Sequence, residues 1–165
     1  MRLLKNKDGH DFVKDAIKKG ASYCVVSKAI NKINKQKLIK YKNTYNFLKK
    51  LAIEKRKVTN AKLIAVTGSA GKTSVKTILG DVLGKYGDTY FSPKSFNNHY
   101  GVPISLSNLE YNHKFGVFEI GMSKSGEINT LSQIVKPDIA IITNIAEAHI
   151  ENFKDINGIA KAKRE

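Results

Sequence analysis

The sequence has almost no cysteine. Its single thiol, Cys24, stands in the apolar run Tyr23-Cys24-Val25-Val26, where burial is expected. One thiol builds no disulfide framework, which suits a reducing, cytoplasmic setting. Long hydrophobic stretches are missing too. No run approaches the ~20 apolar residues of a membrane-spanning helix, and Leu3-Leu4 is too short for the apolar part of a signal peptide, so no membrane insertion is expected. There is no internal repeat and no low-complexity tract. With 41% hydrophobic residues among 165, the chain has enough apolar material for a core, and global disorder is excluded.

Acidic residues are scarce only in one part of the chain. Residues 1–62 hold 18 Lys/Arg against 4 Asp/Glu, whereas residues 63–165 hold 11 against 10. The formal charge of +15 therefore lies almost wholly in the first third. Such a surface could draw in RNA, DNA or a small anionic substrate. The lysines, however, are scattered among Asn and Ile with no arginine cluster or aromatic-basic motif. A solvated lysine-rich face is the better reading, and no nucleic-acid partner is expected.

What is present is organised around residues 62–73. The β-prone run Leu63-Ile64-Ala65-Val66 stops at Thr67-Gly68, and a helical pattern begins near Thr73. Between them stands Gly68-Ser69-Ala70-Gly71-Lys72-Thr73-Ser74. Strand, glycine turn and helix start in succession make a phosphate-binding loop, in which backbone amides and the helix dipole attract an anion. Lys72 would reach the outer phosphates of ATP, and the Thr73 hydroxyl would hold Mg²⁺. The spacing is the short G-x-x-G-K-T form, since Val66 stands where the longer pattern has glycine. The plainer alternative is a glycine turn beside an exposed lysine.

Ahead of the loop the pattern predicts a helix from Asp11 to Lys19, a strand over 22–26, a polar connection over 27–36 and a short strand over 37–41. A helix from Thr44 to Arg56 follows, with Tyr45, Leu48, Leu51 and Ala52 as its apolar face. After the loop, Val75, Ile78, Leu79, Val82 and Leu83 form a helical stripe despite Gly80 and Gly84. Strands are expected at 89–91, 116–120 and 139–143, and helices at 102–109, 126–135 and 156–163. Strands alternating with helices predict an α/β fold, a P-loop parallel sheet flanked by helices, preceded by a small partial α/β domain. The expected domains are 1–58 and 59–165. Ligands of a parallel sheet gather at the strands' C-terminal ends, where Thr67-Gly68, Glu119-Gly121 and Thr143-Asn144 all fall.

That position makes Glu119 a candidate Mg²⁺ ligand beside Thr73. His149, six residues beyond Thr143, lies on the same side of the sheet, where a structural and a functional histidine are equally plausible. Asn97-Asn98 would serve a turn as readily as a ligand. Lys163, on the last helix, would ordinarily be surface charge.

Together these residues resemble the Mur ligase family. The resemblance rests on Thr67-Gly68-Ser69-Ala70-Gly71-Lys72-Thr73, Ser95-Phe96-Asn97-Asn98-His99-Tyr100-Gly101-Val102-Pro103, Glu119-Ile120-Gly121-Met122 with Gly126-Glu127-Ile128, Asn144-Ile145 with Ala148-His149, and Ile159-Ala160-Lys161-Ala162-Lys163. Asp8-Gly9-His10-Asp11-Phe12 and Lys19-Gly20-Ala21 are similar to the end of the first domain of such enzymes. The type resembled adds D-Ala-D-Ala to UDP-MurNAc-tripeptide in peptidoglycan precursor synthesis. The resemblance implies an ATP- and Mg²⁺-dependent ligase working through an acyl phosphate. It assigns Lys72 to the β/γ-phosphates, Thr73 and Glu119 to one Mg²⁺, and His149 to a second. Lys163 matches a lysine carbamylated by CO₂ that joins that second metal, and Asn97 and Asn98 match a loop beside the UDP-muramoyl-peptide. Family members begin before this chain's first residue and continue beyond Lys163, so a piece with little turnover of its own is expected. Other Mur ligases and folylpolyglutamate synthetase share the loop and metal logic. A stand-alone ATP-binding module and a basic nucleic-acid-binding protein are the alternatives from other classes, and the oligomeric state is not legible.

Overall fold

The computed structural model describes residues 8–165, so most of the polar opening stretch 1–9, with Leu3-Leu4, lies outside the described residues. The chain divides into two compact units, Met1–Phe47 and Leu48–Glu165. The division falls inside a helix, eleven residues before the expected boundary at 58/59. The reason is Ala52 of that helix, which is fully buried among the apolar side chains of the second unit.

In the first unit a 3₁₀ turn, Gly9–Phe12, leads into α1 (Val13–Lys18). Strands β1 (Cys24–Val26) and β2 (Leu38–Lys40) pair in parallel, Cys24 opposite Leu38 and Val26 opposite Lys40. Asp8 caps the turn through the His10 amide. Lys28 and His10 beside it hold its carboxyl well below the usual carboxylate range. The imidazole Nε2 of His10 accepts the Ser27 amide at 2.9 Å and so fixes the end of β1. Cys24 is half-buried rather than enclosed, because a three-residue strand on a two-stranded sheet covers only one of its sides.

The second unit starts within α2 (Thr44–Val58). It continues through β3 (Lys62–Thr67), α3 (Lys72–Leu83), β4 (Thr89–Phe91), α4 (Gly101–Ser107), β5 (Phe115–Glu119), α5 (Glu127–Val135), β6 (Ile139–Ile142) and α6 (Ile156–Arg164). The four strands form a parallel sheet in the order β4-β5-β3-β6. A central strand of a parallel sheet is covered on both faces, and the unbroken apolar run of β3 answers to that. Leu63 and Ala65 join the larger core with residues of α4, α5 and α6, whereas Ile64 and Val66 face Val75, Leu79 and Leu83 of α3.

Three expected faces come out differently. On α3, Ile78 is 61% exposed and Val82 is also out, while Lys76 and Gly80 are buried. The inward stripe is set by Phe91, whose ring occupies the space a Cβ on Gly80 would fill, 2.4 Å away. On α2, Leu51 is exposed and Ile53 packs on the core beside Ala52, because only one narrow edge of the helix meets that core. Strand β6 is apolar throughout, yet Ile139 and Ile142 are exposed, since it is the sheet's edge among the described residues. No helix among them is long and apolar enough to cross a membrane.

One carboxylate locks the entry to the sheet. Asp138 accepts the Leu63 amide at 2.8 Å and lies within 3.4 Å of the charged tips of both Arg56 and Lys62. The Leu63 bond first, and then the two cations, hold its carboxyl below the usual value. Asp138→Ala is expected to cost about 2 kcal/mol in urea unfolding, as for the loss of hydrogen bonds to a charged group. A depressed folded pKa stabilises above the unfolded value of ~3.9 and the gain is lost as pH falls through the folded one. The wild-type and variant stabilities should therefore converge as pH falls below the ordinary carboxylate value of ~3.9 and on through the lowered folded one.

Candidate functional site

Four C-terminal strand ends and their loops meet at one edge of the sheet, and β3 with its glycine turn is the centre. Gly68 has φ +146°, and a Cβ there would lie 1.9 Å from Thr143 Oγ1. Gly71, at φ +76°, turns the chain into α3. The loop is braced by the segment that follows β6. Asn144 takes the Ser69 amide on its carbonyl (3.1 Å) and the Ala70 amide on its side chain (2.9 Å). Ser69 Oγ donates to Ala146 O and accepts from Ala146 N, both at 2.9 Å, and Thr143 Oγ1 donates to Ala70 O. Two amides of the turn are thus engaged by Asn144. The amides left to face an anion are those of the first turn of α3, Gly71 to Ser74, which have no acceptor within the helix. Lys72 Nζ folds back onto the carbonyls of Gly68 (2.7 Å) and Ser69 (3.3 Å), at the mouth of the same turn.

Glu119 ends β5 at 1% exposure. Its Oε2 accepts from Thr73 Oγ1 at 2.8 Å and its Oε1 from Asn97 Nδ2 at 2.7 Å, so the two expected metal-site residues and one loop asparagine form one chain of contacts. A cation also faces it: Lys76 Nζ lies 3.6 Å from Oε2, is 2% exposed and donates to Lys94 O. Sequence reasoning missed Lys76. The available signal was its place one turn after Lys72, beside the inward residues Val75 and Leu79. Asn98 does otherwise than Asn97, since its Oδ1 accepts the amides of Tyr100 and Gly101 and caps the entry to α4.

A cavity of about 550 Å³ opens over this edge. Gly68, Ser69, Lys72, Asn97, Asn98, His149 and Lys163 all border it, as do His99, Gly121 and Met122. Ala70, Gly71, Thr73, Ser74 and Glu119 do not line it, although Thr73 and Glu119 join it through Asn97. His149 adopts a left-handed backbone (φ +61°), and its Nδ1 lies 3.7 Å from Glu151 Oε1. Lys163 is 5% exposed on the inward stripe of α6, next to Ala162 and one turn after Ile159. Burial first, and then the positive charge of Lys72, push its amine down to about 8. An amine so placed is partly neutral near physiological pH and nucleophilic.

No group of three or more His, Cys, Asp or Glu side chains able to hold a metal occurs among the described residues. The donor set at Thr73 and Glu119 nevertheless fits Mg²⁺. One hydroxyl and one carboxylate suit an octahedral hard cation that takes its remaining ligands from phosphate and water.

Comparisons with known proteins identify the family. Residues 66–165 match the family model described as Mur ligase middle domain. Over 163 residues the chain is 44% identical to the UDP-N-acetylmuramoyl-tripeptide–D-alanyl-D-alanine ligase of Rickettsia prowazekii, covering 99% of this chain and 36% of that protein. It is 37% identical to the enzyme of the same name from Escherichia coli, covering 96% of this chain and 34% of the relative. A crystal structure of MurF from Acinetobacter baumannii superposes with a TM-score of 0.83 at 34% identity, covering 96% of this chain and 35% of that one. MurF ligase from Thermotoga maritima in complex with ADP gives 0.80 at 32% identity, covering 96% and 37%. The chain spans about a third of the length of these relatives.

Proposed function

The chain belongs to the Mur ligase family, and from that premise we propose that it carries the nucleotide-handling part of an ATP-dependent ligase that adds D-Ala-D-Ala to UDP-MurNAc-tripeptide. The observation that carries the reading is the Thr73–Glu119 hydrogen bond directly beneath the phosphate turn, with Lys72 and Lys163 facing the same cavity. The second unit, from Leu48 onward, holds the ATP site, and the first belongs to the domain for the muramoyl-peptide. A soluble nucleotide-linked substrate and ATP place the reaction in the cytoplasm.

In this reading the first-turn amides of α3 cradle the phosphates, and Lys72 leaves the Gly68 and Ser69 carbonyls to neutralise the β/γ-oxygens. Bound magnesium supplies further charge neutralisation of the transferring phosphoryl group, with Thr73 and Glu119 as its protein ligands. Asn97 orients Glu119 by holding the oxygen turned away from Thr73. The neutral Lys163 amine attacks the carbon of CO₂ and releases a proton, becoming an N-carboxylate. His149 and that carboxylate, on residues that both border the cavity, would be the nitrogen and oxygen donors for a second Mg²⁺. The peptide carboxylate, once phosphorylated, is attacked by the amine of D-Ala-D-Ala, and phosphate leaves as the amide forms.

Two measurements test the reading. Calorimetry should show saturable ATP binding that requires Mg²⁺, and ¹³C-bicarbonate should give a carbamate carbon resonance that is lost in Lys163→Arg. Absence of any magnesium-dependent heat from folded protein would remove the nucleotide site. An unchanged resonance in the Lys163 variant would remove that lysine's role.

A further inference from the structure

Lys76 is not needed by the mechanism above, yet it is buried to the same degree as Val26 and Ile120 of the core. It stands on the inward face of α3, one turn beyond Lys72, and its ammonium has two partners: Glu119 Oε2 at 3.6 Å and the carbonyl of Lys94. Both members of the ion pair are almost wholly removed from water. A charge buried that deeply is tolerated only when paired, and deleting one member leaves the other uncompensated. Glu119 is thus a carboxylate whose negative charge is already balanced. Any cation approaching the Oε2 edge that Thr73 shares meets a resident like charge within 4 Å.

We propose that Lys76 is a built-in counter-cation that closes Glu119 to free divalent metal and admits Mg²⁺ only with a polyphosphate. The inference rests on the reading of Glu119 and Thr73 as metal ligands. A bare dication gains little at a neutralised carboxylate beside an ammonium. A nucleotide triphosphate brings several negative charges of its own to the first turn of α3, and these outweigh the repulsion. The site would then never load metal in the absence of nucleotide, so the metal and the triphosphate enter together. The link to Lys94 adds a second consequence. Lys94 has a left-handed backbone (φ +48°), and the ammonium holds its carbonyl, so the 92–98 loop bearing Asn97 is fastened to the same charge.

The test uses Mn²⁺ as a paramagnetic substitute for Mg²⁺, with the whole chain. In wild-type protein, electron paramagnetic resonance should find Mn²⁺ bound at least roughly 100-fold more tightly with ATP than without it. Lys76→Met, which keeps the length and most of the volume, should lower the metal-free Tm by roughly 10 °C. Millimolar Mg²⁺ without nucleotide should recover at least half of that loss, because the metal now replaces the ammonium. Lys76→Arg should behave as wild type, and Lys76→Met with Glu119→Gln should regain stability and lose the response to Mg²⁺. Wild-type protein that binds Mn²⁺ equally well with and without ATP overturns the proposal whether or not the variants fold. A folded Lys76→Met indifferent to Mg²⁺ does so too. Failure of wild-type protein to bind Mg-ATP at all is a different result, because it overturns the nucleotide site itself and this inference with it.

Discussion

Lys72→Ala is expected to lower Mg-ATP affinity by about 100-fold, close to 3 kcal/mol, while leaving the ligand-free protein as stable as before. The two halves of that expectation have separate causes. With ATP present, the ammonium makes charge-assisted hydrogen bonds to phosphate oxygens. Without ATP, it only donates to the carbonyls of Gly68 and Ser69 at the cavity's mouth, where water can take its place. Lys72→Arg should recover little, since a planar guanidinium cannot enter a turn shaped for a compact ammonium. The same substitution reports on Lys163. Burial is the larger cause of its lowered pKa and the charge of Lys72 the smaller, so the amine should rise from about 8 in Lys72→Ala without regaining its ordinary value. Calorimetry and thermal melts decide the first point, and titration of isotopically labelled lysine the second. An affinity within threefold of wild type would mean that the turn does not hold a triphosphate.

Much of this edge was legible because its cues are local. Leu63–Thr67, the glycines and Lys72-Thr73 follow one another without a gap, so strand, turn and helix start could be read in order. Glu119 and His149 could be placed because every strand of a parallel sheet delivers its C-terminal end to the same side. The cavity indeed gathers the loops after β3, β5 and β6. Asn97 and Asn98 show the limit: adjacent and alike, one holds Glu119 and the other caps α4, and nothing in their spacing distinguishes them.

What stayed hidden depends on strand order and on contacts between distant segments. The inward face of α3 is decided by Phe91, which lies over Gly80 only because β4 pairs with β5. Had that neighbour been known, Lys76 could have been placed inside and Ile78 outside. Strand β6 reads as buried by composition, and its edge position follows from pairing with β3 alone. The hold of Asn144 on the Ser69 and Ala70 amides joins segments 74 or more residues apart. Periodicity within a window cannot show such a contact.

Gly68→Ala tests that long-range contact most severely. Two costs add at this position. The backbone, at φ +146°, is in a region that side chains with a Cβ rarely adopt, which is worth about 1–3 kcal/mol. The new methyl would also lie 1.9 Å from Thr143 Oγ1 and 3.1 Å from both Thr143 Cβ and the Thr143 amide nitrogen. Overpacking of that kind costs about 1–3 kcal/mol more. The hydroxyl cannot simply turn aside, because it donates to Ala70 O and so helps shape the turn. A total near 4 kcal/mol is expected, equivalent to a fall in Tm of roughly 8–16 °C, with Mg-ATP binding lost as the turn moves off β6. Gly71→Ala is the control: its φ of +76° is also left-handed, but nothing lies within 4 Å of the added Cβ, so about 1 kcal/mol is expected. Adding Thr143→Ala to Gly68→Ala should recover the part of the steric cost that comes from Thr143 Oγ1, and leave the backbone share and the closer approach to Thr143 Cβ and N. A double-mutant cycle in urea would then give a coupling of about 1–2 kcal/mol. If Gly68→Ala proved no worse than Gly71→Ala, the bracing of the phosphate turn by the β6 segment would not be what shapes the site.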